Sequence, residues 1–155
     1  MDEQIDILKG LMGGEYFGYK GEFYDIPELK LCPVPTKPVP ILIGGHSNLA
    51  LKRAARVGDG WISAGLTLEE TEILINKINN FRGEFGTLDH PNYQFQVMGE
   101  AAYSPDGIKK LEDLGATEVI VAFRNAYEGG PDDRTLDGMI AEINWYAEEV
   151  INKVK

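Results

Sequence analysis

Cysteine is nearly absent from this 155-residue chain, Cys32 being the only one. A single thiol closes no internal disulfide, and Cys32 lacks the neighbouring Cys/His set of a metal site, so no disulfide framework or metal cluster is expected. With nothing demanding an oxidising compartment, a cytoplasmic location is the expectation. Basic residues are also scarce, 15 Lys and Arg against 25 Asp and Glu, giving a formal net charge of -10. Non-specific nucleic-acid binding rests on Lys and Arg neutralising phosphates, so nucleic acid is an unfavourable partner and an anionic membrane equally so. No apolar run approaches the roughly 18–20 residues that span a bilayer, and no charged-then-apolar leader opens the chain. What is present is the make-up of a folded domain, 43% hydrophobic with 18 glycines. At roughly 100–200 residues per domain the length suits one unit, large enough to bury about two-thirds of its unfolded surface.

The hydrophobic period changes along the chain. Ile5, Leu8, Leu11 and Met12 follow helical spacing, and Gly13-Gly14 supplies a stop, so residues 1–14 read as a helix. Residues 15–40 are irregular and aromatic, closing on Pro33, Pro35, Pro38 and Pro40. Proline at that density blocks helix and sheet interiors, which predicts a long ordered loop. Residues 41–155 then alternate short apolar runs with amphipathic stretches. The runs at 41–43, 61–64, 93–98 and 119–123 read as strands. Helical periods follow each, at 49–57, 67–81, 104–114 and 136–154, and Thr67-Leu68-Glu69-Glu70 matches a capping box. Four strand–helix units in succession predict parallel strands with right-handed crossovers, and the apolar strands fit a sheet covered on both faces.

In parallel α/β proteins ligands sit at the carboxyl ends of the strands, where loops meet helix N-termini. The first such junction is Gly44-Gly45-His46-Ser47-Asn48. Two glycines let the backbone turn sharply and approach a ligand, and the unpaired N–H groups of the first helical turn suit an anion, a phosphate above all. The plainer alternative is a tight turn in which Ser47 only caps the helix.

The stretch Pro38-Val39-Pro40-Ile41-Leu42-Ile43-Gly44-Gly45-His46-Ser47, followed by Leu51-Lys52-Arg53-Ala54-Ala55-Arg56-Val57-Gly58-Asp59-Gly60-Trp61, resembles the bacterial luciferase-like monooxygenase superfamily. Within it the subgroup that uses the deazaflavin coenzyme F-420 is the nearest match. Upstream, Tyr19-Lys20-Gly21-Glu22-Phe23-Tyr24 is similar to a Gly-x-Phe/Tyr-Tyr segment of that family, and Leu114-Gly115-Ala116-Thr117-Glu118-Val119 is similar to the approach to its last strand. The resemblance implies a (β/α)8 barrel that binds FMN or coenzyme F-420 at the carboxyl end of its strands. A complete barrel takes about 250 residues, so four units correspond to its C-terminal half. The resemblance places Gly44 and Gly45 at the cofactor's phosphate through their N–H groups, with Ser47 and Asn48 as side-chain contacts. His46 shares the loop at a position that varies in the family. Ser63, near the end of the second strand, either faces the ligand or serves packing.

Elsewhere the plainer readings lead. Arg56 and Asp59 are positioned to pair across Gly58, Trp61 reads as core, and His90 sits in a turn away from the chemistry. Arg124 and Asn125 follow the fourth strand, either meeting an anionic ligand or lining a solvated loop. No nucleophile–base pair stands out and no catalytic residue is assigned, as expected where a cofactor carries the hydride or oxygen chemistry. The expected function is therefore a flavin- or F-420-dependent oxidoreductase of a small organic substrate, with oxygen as co-substrate if it is a monooxygenase. A non-catalytic cofactor-binding or assembly module of the same fold is the alternative. Open strand edges further predict a homo-oligomer or pairing with a missing N-terminal half.

Overall fold

The computed structural model describes residues 1–124, 130 and 133–154. Helix α1 (Asp2–Met12) is followed by two strands, β1 (Phe17–Lys20) and β2 (Asp25–Leu29). Then come β3 (Leu42–Gly44), α2 (Asn48–Val57), β4 (Gly60–Ile62), α3 (Leu68–Phe85), β5 (Gln94–Met98), α4 (Pro105–Asp113), β6 (Glu118–Ile120) and α5 (Leu136–Glu149). Strands β3 to β6 form one parallel sheet in sequence order, which is the partial barrel expected of four strand–helix units.

Register explains the two faces of that sheet. Ile43, Trp61 and Phe95 are aligned across β3, β4 and β5, and all three belong to one buried cluster with Leu51, Ala54, Ile75 and Ile78 of the helices. The alternate row, Gly44, Ile62, Gln96 and Glu118, falls on the opposite face because side chains alternate along a strand. That face is only partly covered: Leu42, Ile62, Gln94, Gln96, Met98 and Ile120 are half-buried, and Glu118 is exposed. The sheet is thus packed under helices on one face and open on the other, which corrects the expectation of two covered faces.

Residues 15–40 are not loop throughout. β1 and β2 pair antiparallel, with Tyr19 opposite Ile26 and Lys20 opposite Asp25. The dense prolines all lie beyond this hairpin, and Pro27 occupies a two-stranded sheet, where a missing N–H disturbs least. Its tip is bound by a side chain distant in sequence. The Glu3 carboxylate accepts from the backbone N–H groups of Glu22, at 2.8 Å, and of Phe23 and Tyr24, each at 3.1 Å. A Cβ on Gly21 would lie 2.4 Å from Glu3 Oε2, so the glycine lets the tip close around the carboxylate.

The ends of the strands also differ from the periodicity, for identifiable reasons. β3 starts at Leu42 because the Ile41 N–H donates to Asp59 Oδ2 at 2.7 Å. β6 stops at Ile120 because the Tyr103 hydroxyl takes both backbone groups of Ala122, donating to its carbonyl at 2.6 Å and accepting from its N–H at 3.0 Å. The last helix ends at Glu149 and tightens into a 3-10 turn over Ile151–Lys153. In α1 it is Ile5 and Ile7 that are buried, whereas Leu8 is half exposed. Arg56 and Asp59 do not pair with each other. Arg56 and Arg53 both bind Asp2, while Asp59 lies 3.2 Å from His90 Nε2 and 3.8 Å from Lys9 Nζ.

One buried contact sets a pH response. Arg82, 7% exposed, stacks its guanidinium 3.9 Å from the centre of the Tyr93 ring and donates to the carbonyls of Thr87 and Leu88. The Tyr93 hydroxyl has no hydrogen-bond partner among the described residues. Burial pushes its pKa up to about 12, the Arg82 cation opposing and Asp59 adding to the rise. Since an unfolded tyrosine ionises near 10, the stabilisation is complete below pH 10 and disappears as pH rises through about 12. Two pH units correspond to about 2.7 kcal/mol, and residual solvent screening brings the expected loss to roughly 1–2 kcal/mol. Tyr93→Phe keeps the ring under Arg82 and removes the unpaired hydroxyl. It is expected to raise stability at pH 7 by about 1 kcal/mol and to flatten the alkaline loss, as urea unfolding at pH 7, 10 and 11.5 would report. A less stable variant at pH 7 would show that the hydroxyl is satisfied in solution.

Candidate functional site

The turn after β3 is built by the sequence that surrounds it. Gly45 has φ +112°, a conformation L side chains rarely adopt, and a Cβ there would also lie 3.1 Å from the Cβ of Ala50. Its carbonyl accepts from the indole N–H of Trp61 at 2.9 Å, so the turn is tied to the buried core of the next strand. Ser47 is the N-cap of α2, its Oγ accepting from the Ala50 N–H at 3.3 Å and its carbonyl from the Leu51 N–H at 2.9 Å. The preceding amides, those of Asn48 and Leu49, belong to the first helical turn and have no acceptor within the helix. Gly44 through Leu49 are exposed. A 10-residue helix thus aims its amino end at an open, glycine-lined turn.

His46 and Ser63 divide on inspection. His46 Nε2 accepts from the Ala64 N–H at 3.4 Å, and its ring lies 6.1 Å from that of Trp61, so it joins the turn after β3 to the one after β4. Ser63 is 3% exposed, its N–H donating to the Gln96 carbonyl at 2.9 Å and its Oγ accepting from the Met98 N–H at 3.1 Å. It fastens β4 to β5 behind the turn. Nearby, the Thr67–Glu70 capping box closes as the sequence predicts. The Thr67 backbone N–H and hydroxyl hold the Glu70 carboxyl below the ordinary carboxylate range, and His46 acts in the same direction.

The structure adds a pair that sequence reading missed. Gln96 Nε2 donates to Glu118 Oε2 at 2.6 Å on the open face of the sheet, in the same row as Gly44 and Ile62. The signal was the polar Gln94/Gln96 alternation in β5; what it lacked was the register that brings β6 alongside. After β6, Arg124 donates to the Gly130 carbonyl at 3.0 Å, and Asn125 lies outside the described residues. His90 stands at the amino-terminal end of the sheet beside Asp59, as expected. A cavity of about 460 Å³ lined by Lys9, Met12, Pro35, Val39 and Asp59 is also at that end, remote from the glycine turn. Among the described residues no His, Cys, Asp or Glu group is arranged to hold a metal, and no helix is long and apolar enough to cross a membrane.

Comparison with known proteins places the chain in a family. An uncharacterized protein of Mycobacterium tuberculosis is 45% identical over 154 residues, covering 99% of this chain and 52% of its own length. The F-420-dependent glucose-6-phosphate dehydrogenase of Tsukamurella paurometabola is 29% identical over 114 residues, 72% of this chain and 33% of that protein. The chain thus spans about half the length, or less, of these relatives. Among solved structures, the coenzyme F-420-dependent tetrahydromethanopterin reductase of Methanopyrus kandleri superposes with a TM-score of 0.67 at 15% identity, over 99% of this chain and 64% of that one. The model of the luciferase-like monooxygenase family matches residues 1–106, the span that holds the hairpin, the glycine turn and the first two strand–helix units, and the chain belongs to that family.

Proposed function

We propose that this chain forms the phosphate-holding side of an oxidoreductase site for coenzyme F-420, acting on a small organic substrate. The observation that carries this reading is the Gly44–Asn48 turn: exposed, free of side chains at two positions, and set before a helix whose first amides have no internal acceptor. An anion fits there because the N–H groups and the helix dipole both favour negative charge. Several relatives being F-420-dependent favours the deazaflavin over FMN. When bound, F-420 supplies the hydride chemistry. Gly44 and Gly45 would present backbone N–H groups to its anionic tail, Asn48 a side-chain amide, and Ser47 the cap that keeps the helix end in place. His46 would hold the adjoining turn, and Ser63 and Trp61 would back the platform from the core side. The free, exposed Cys32 suits a cytoplasmic setting.

Fluorescence titration tests the reading. F-420 is expected to bind saturably and FMN more weakly, and Gly45→Val is expected to reduce F-420 affinity at least about tenfold, since a positive φ is costly for a β-branched residue. Equal F-420 affinity in Gly45→Val would remove the turn from the site. Preference for FMN over F-420 would replace the cofactor while keeping the turn.

A further inference from the structure

We infer that the cavity at the amino-terminal end of the sheet is a second ligand site, one that takes a small monocarboxylate with an apolar body. It lies at the opposite end of the strands from the glycine turn, so it does not rest on the F-420 reading. Its volume of about 460 Å³ falls within the roughly 300–1,000 Å³ of small-molecule sites. Segments distant in sequence line it: Lys9, Met12 and Gly13 at the end of α1, residues 35–39, and Asp59 between α2 and β4. Met12, Pro35, Pro38 and Val39 make its walls apolar. The rim is also stiff. Pro35 and Pro38 have fixed φ, and Lys37, which precedes Pro38, is confined to extended backbone, so little freedom is lost when a ligand binds.

The hydrogen-bonding groups decide the ligand's charge. The carboxylate and the first lysine are already engaged. Asp59 Oδ2 accepts from the Ile41 N–H at 2.7 Å, and Asp59 Oδ1 lies 3.2 Å from His90 Nε2 and 3.8 Å from Lys9 Nζ. Lys9 Nζ donates to the Val57 carbonyl at the end of α2, at 2.7 Å. Two donors remain, the Lys37 ammonium and the Thr36 hydroxyl, which have no side-chain partner among the described residues. A ligand bringing a negative acceptor therefore meets spare donors, whereas a cation meets two lysines and a carboxylate already shared by three groups. Lys9 and Lys37 against Asp59 leave one positive charge at the cavity, in a chain whose net charge is -10. One carboxylate balances that charge, while the second charge of a phosphate ester would face Asp59 unpaired. The apolar walls then suit an alkyl or aryl body, which gains by leaving water.

The test uses octanoate, titrated calorimetrically into the chain and mapped by amide chemical shifts, with octanol and octyl phosphate as comparisons. Octanoate is expected to bind saturably, with its largest shifts at Gly13, Thr36, Lys37 and Asp59. Octanol, which lacks the charge, and octyl phosphate, which carries too much, are each expected to bind at least about fivefold more weakly. Lys37→Ala is expected to weaken octanoate about fivefold and Lys37→Arg to restore it, the contact being a charge-assisted one at an exposed site. Val39→Asp sets a like charge in the apolar wall and is expected to weaken it at least about tenfold. Both positions are exposed, so the melting temperature of each variant is expected to stay unchanged. Absence of saturable binding, largest shifts in the glycine turn or along α5, or unchanged affinity in Lys37→Ala would each overturn the inference. So would octanol or octyl phosphate binding as tightly as octanoate. F-420 titration reads the other claim: a chain that binds octanoate here and no F-420 keeps this site and loses the proposed function.

Discussion

Trp61→Ala is expected to lower the unfolding free energy by about 3–5 kcal/mol, the range for deleting a buried aromatic side chain. Trp61 has no exposed surface and lies at the centre of the cluster that joins β3, β4 and β5 to α2 and α3. For a domain whose total stability is of order 5–15 kcal/mol, that loss approaches the limit of folding at 37 °C. The variant also removes the indole N–H that holds the Gly45 carbonyl at 2.9 Å, so its effect reaches the glycine turn. Trp61→Phe separates the two roles. It keeps an aromatic ring in the core and loses the hydrogen bond, so stability is expected to fall by about 1–2 kcal/mol while ligand affinity falls as the turn loosens. Urea unfolding followed by far-UV circular dichroism reads the first quantity and cofactor titration the second. A cost below 1 kcal/mol for Trp61→Ala would mean that the sheet–helix core is not assembled as described.

Trp61 also shows what the sequence makes legible. Its neighbours give a short apolar run followed by a capping box, so a buried strand leading into a helix follows from local chemistry, and both are present. The glycine turn was readable for the same reason: two glycines, a capping serine and a helical period lie within ten residues. Contacts between distant segments were not. Nothing local in Asp2 indicates that it binds Arg53 and Arg56, or in Glu3 that it receives three backbone N–H groups of the hairpin tip. The proline argument failed at residues 17–29 because it carried the density of Pro33–Pro40 backward over a segment with one proline. The ends of β6 were misjudged because a side chain, Tyr103, stands in for a strand partner at Ala122. The contacts of Asp2, Glu3 and Tyr103 each span 19 residues or more, beyond any window of periodicity.

Gly107→Ala is expected to destabilise by about 3 kcal/mol, although helix propensity alone predicts the opposite sign. Gly107 lies in the first turn of α4, where alanine would gain up to about 1 kcal/mol over glycine. A Cβ there would sit 2.1 Å from the carbonyl oxygen of Ala101 and 2.8 Å from its carbon, and backbone cannot swing aside as a side-chain tip can. Overpacking against fixed atoms costs about 1–3 kcal/mol, occasionally more, and here it outweighs propensity. Relief requires α4 to separate from the 3-10 turn over Glu100–Tyr103. That turn carries the Ala102 carbonyl bound by the Tyr146 hydroxyl and the Tyr103 hydroxyl that closes β6, so the disturbance reaches the carboxyl end of the sheet. Gly83→Ala supplies the contrasting sign. It lies within α3, and its Cβ would meet only Leu88 Cδ1 at 3.7 Å, an ordinary contact. There propensity acts unopposed, and a gain of about 0.5–1 kcal/mol is expected. Chemical denaturation of both variants decides the matter: two gains would show that α4 and the 3-10 turn do not approach so closely, and two losses would show that α3 does not tolerate a methyl group at its exposed end.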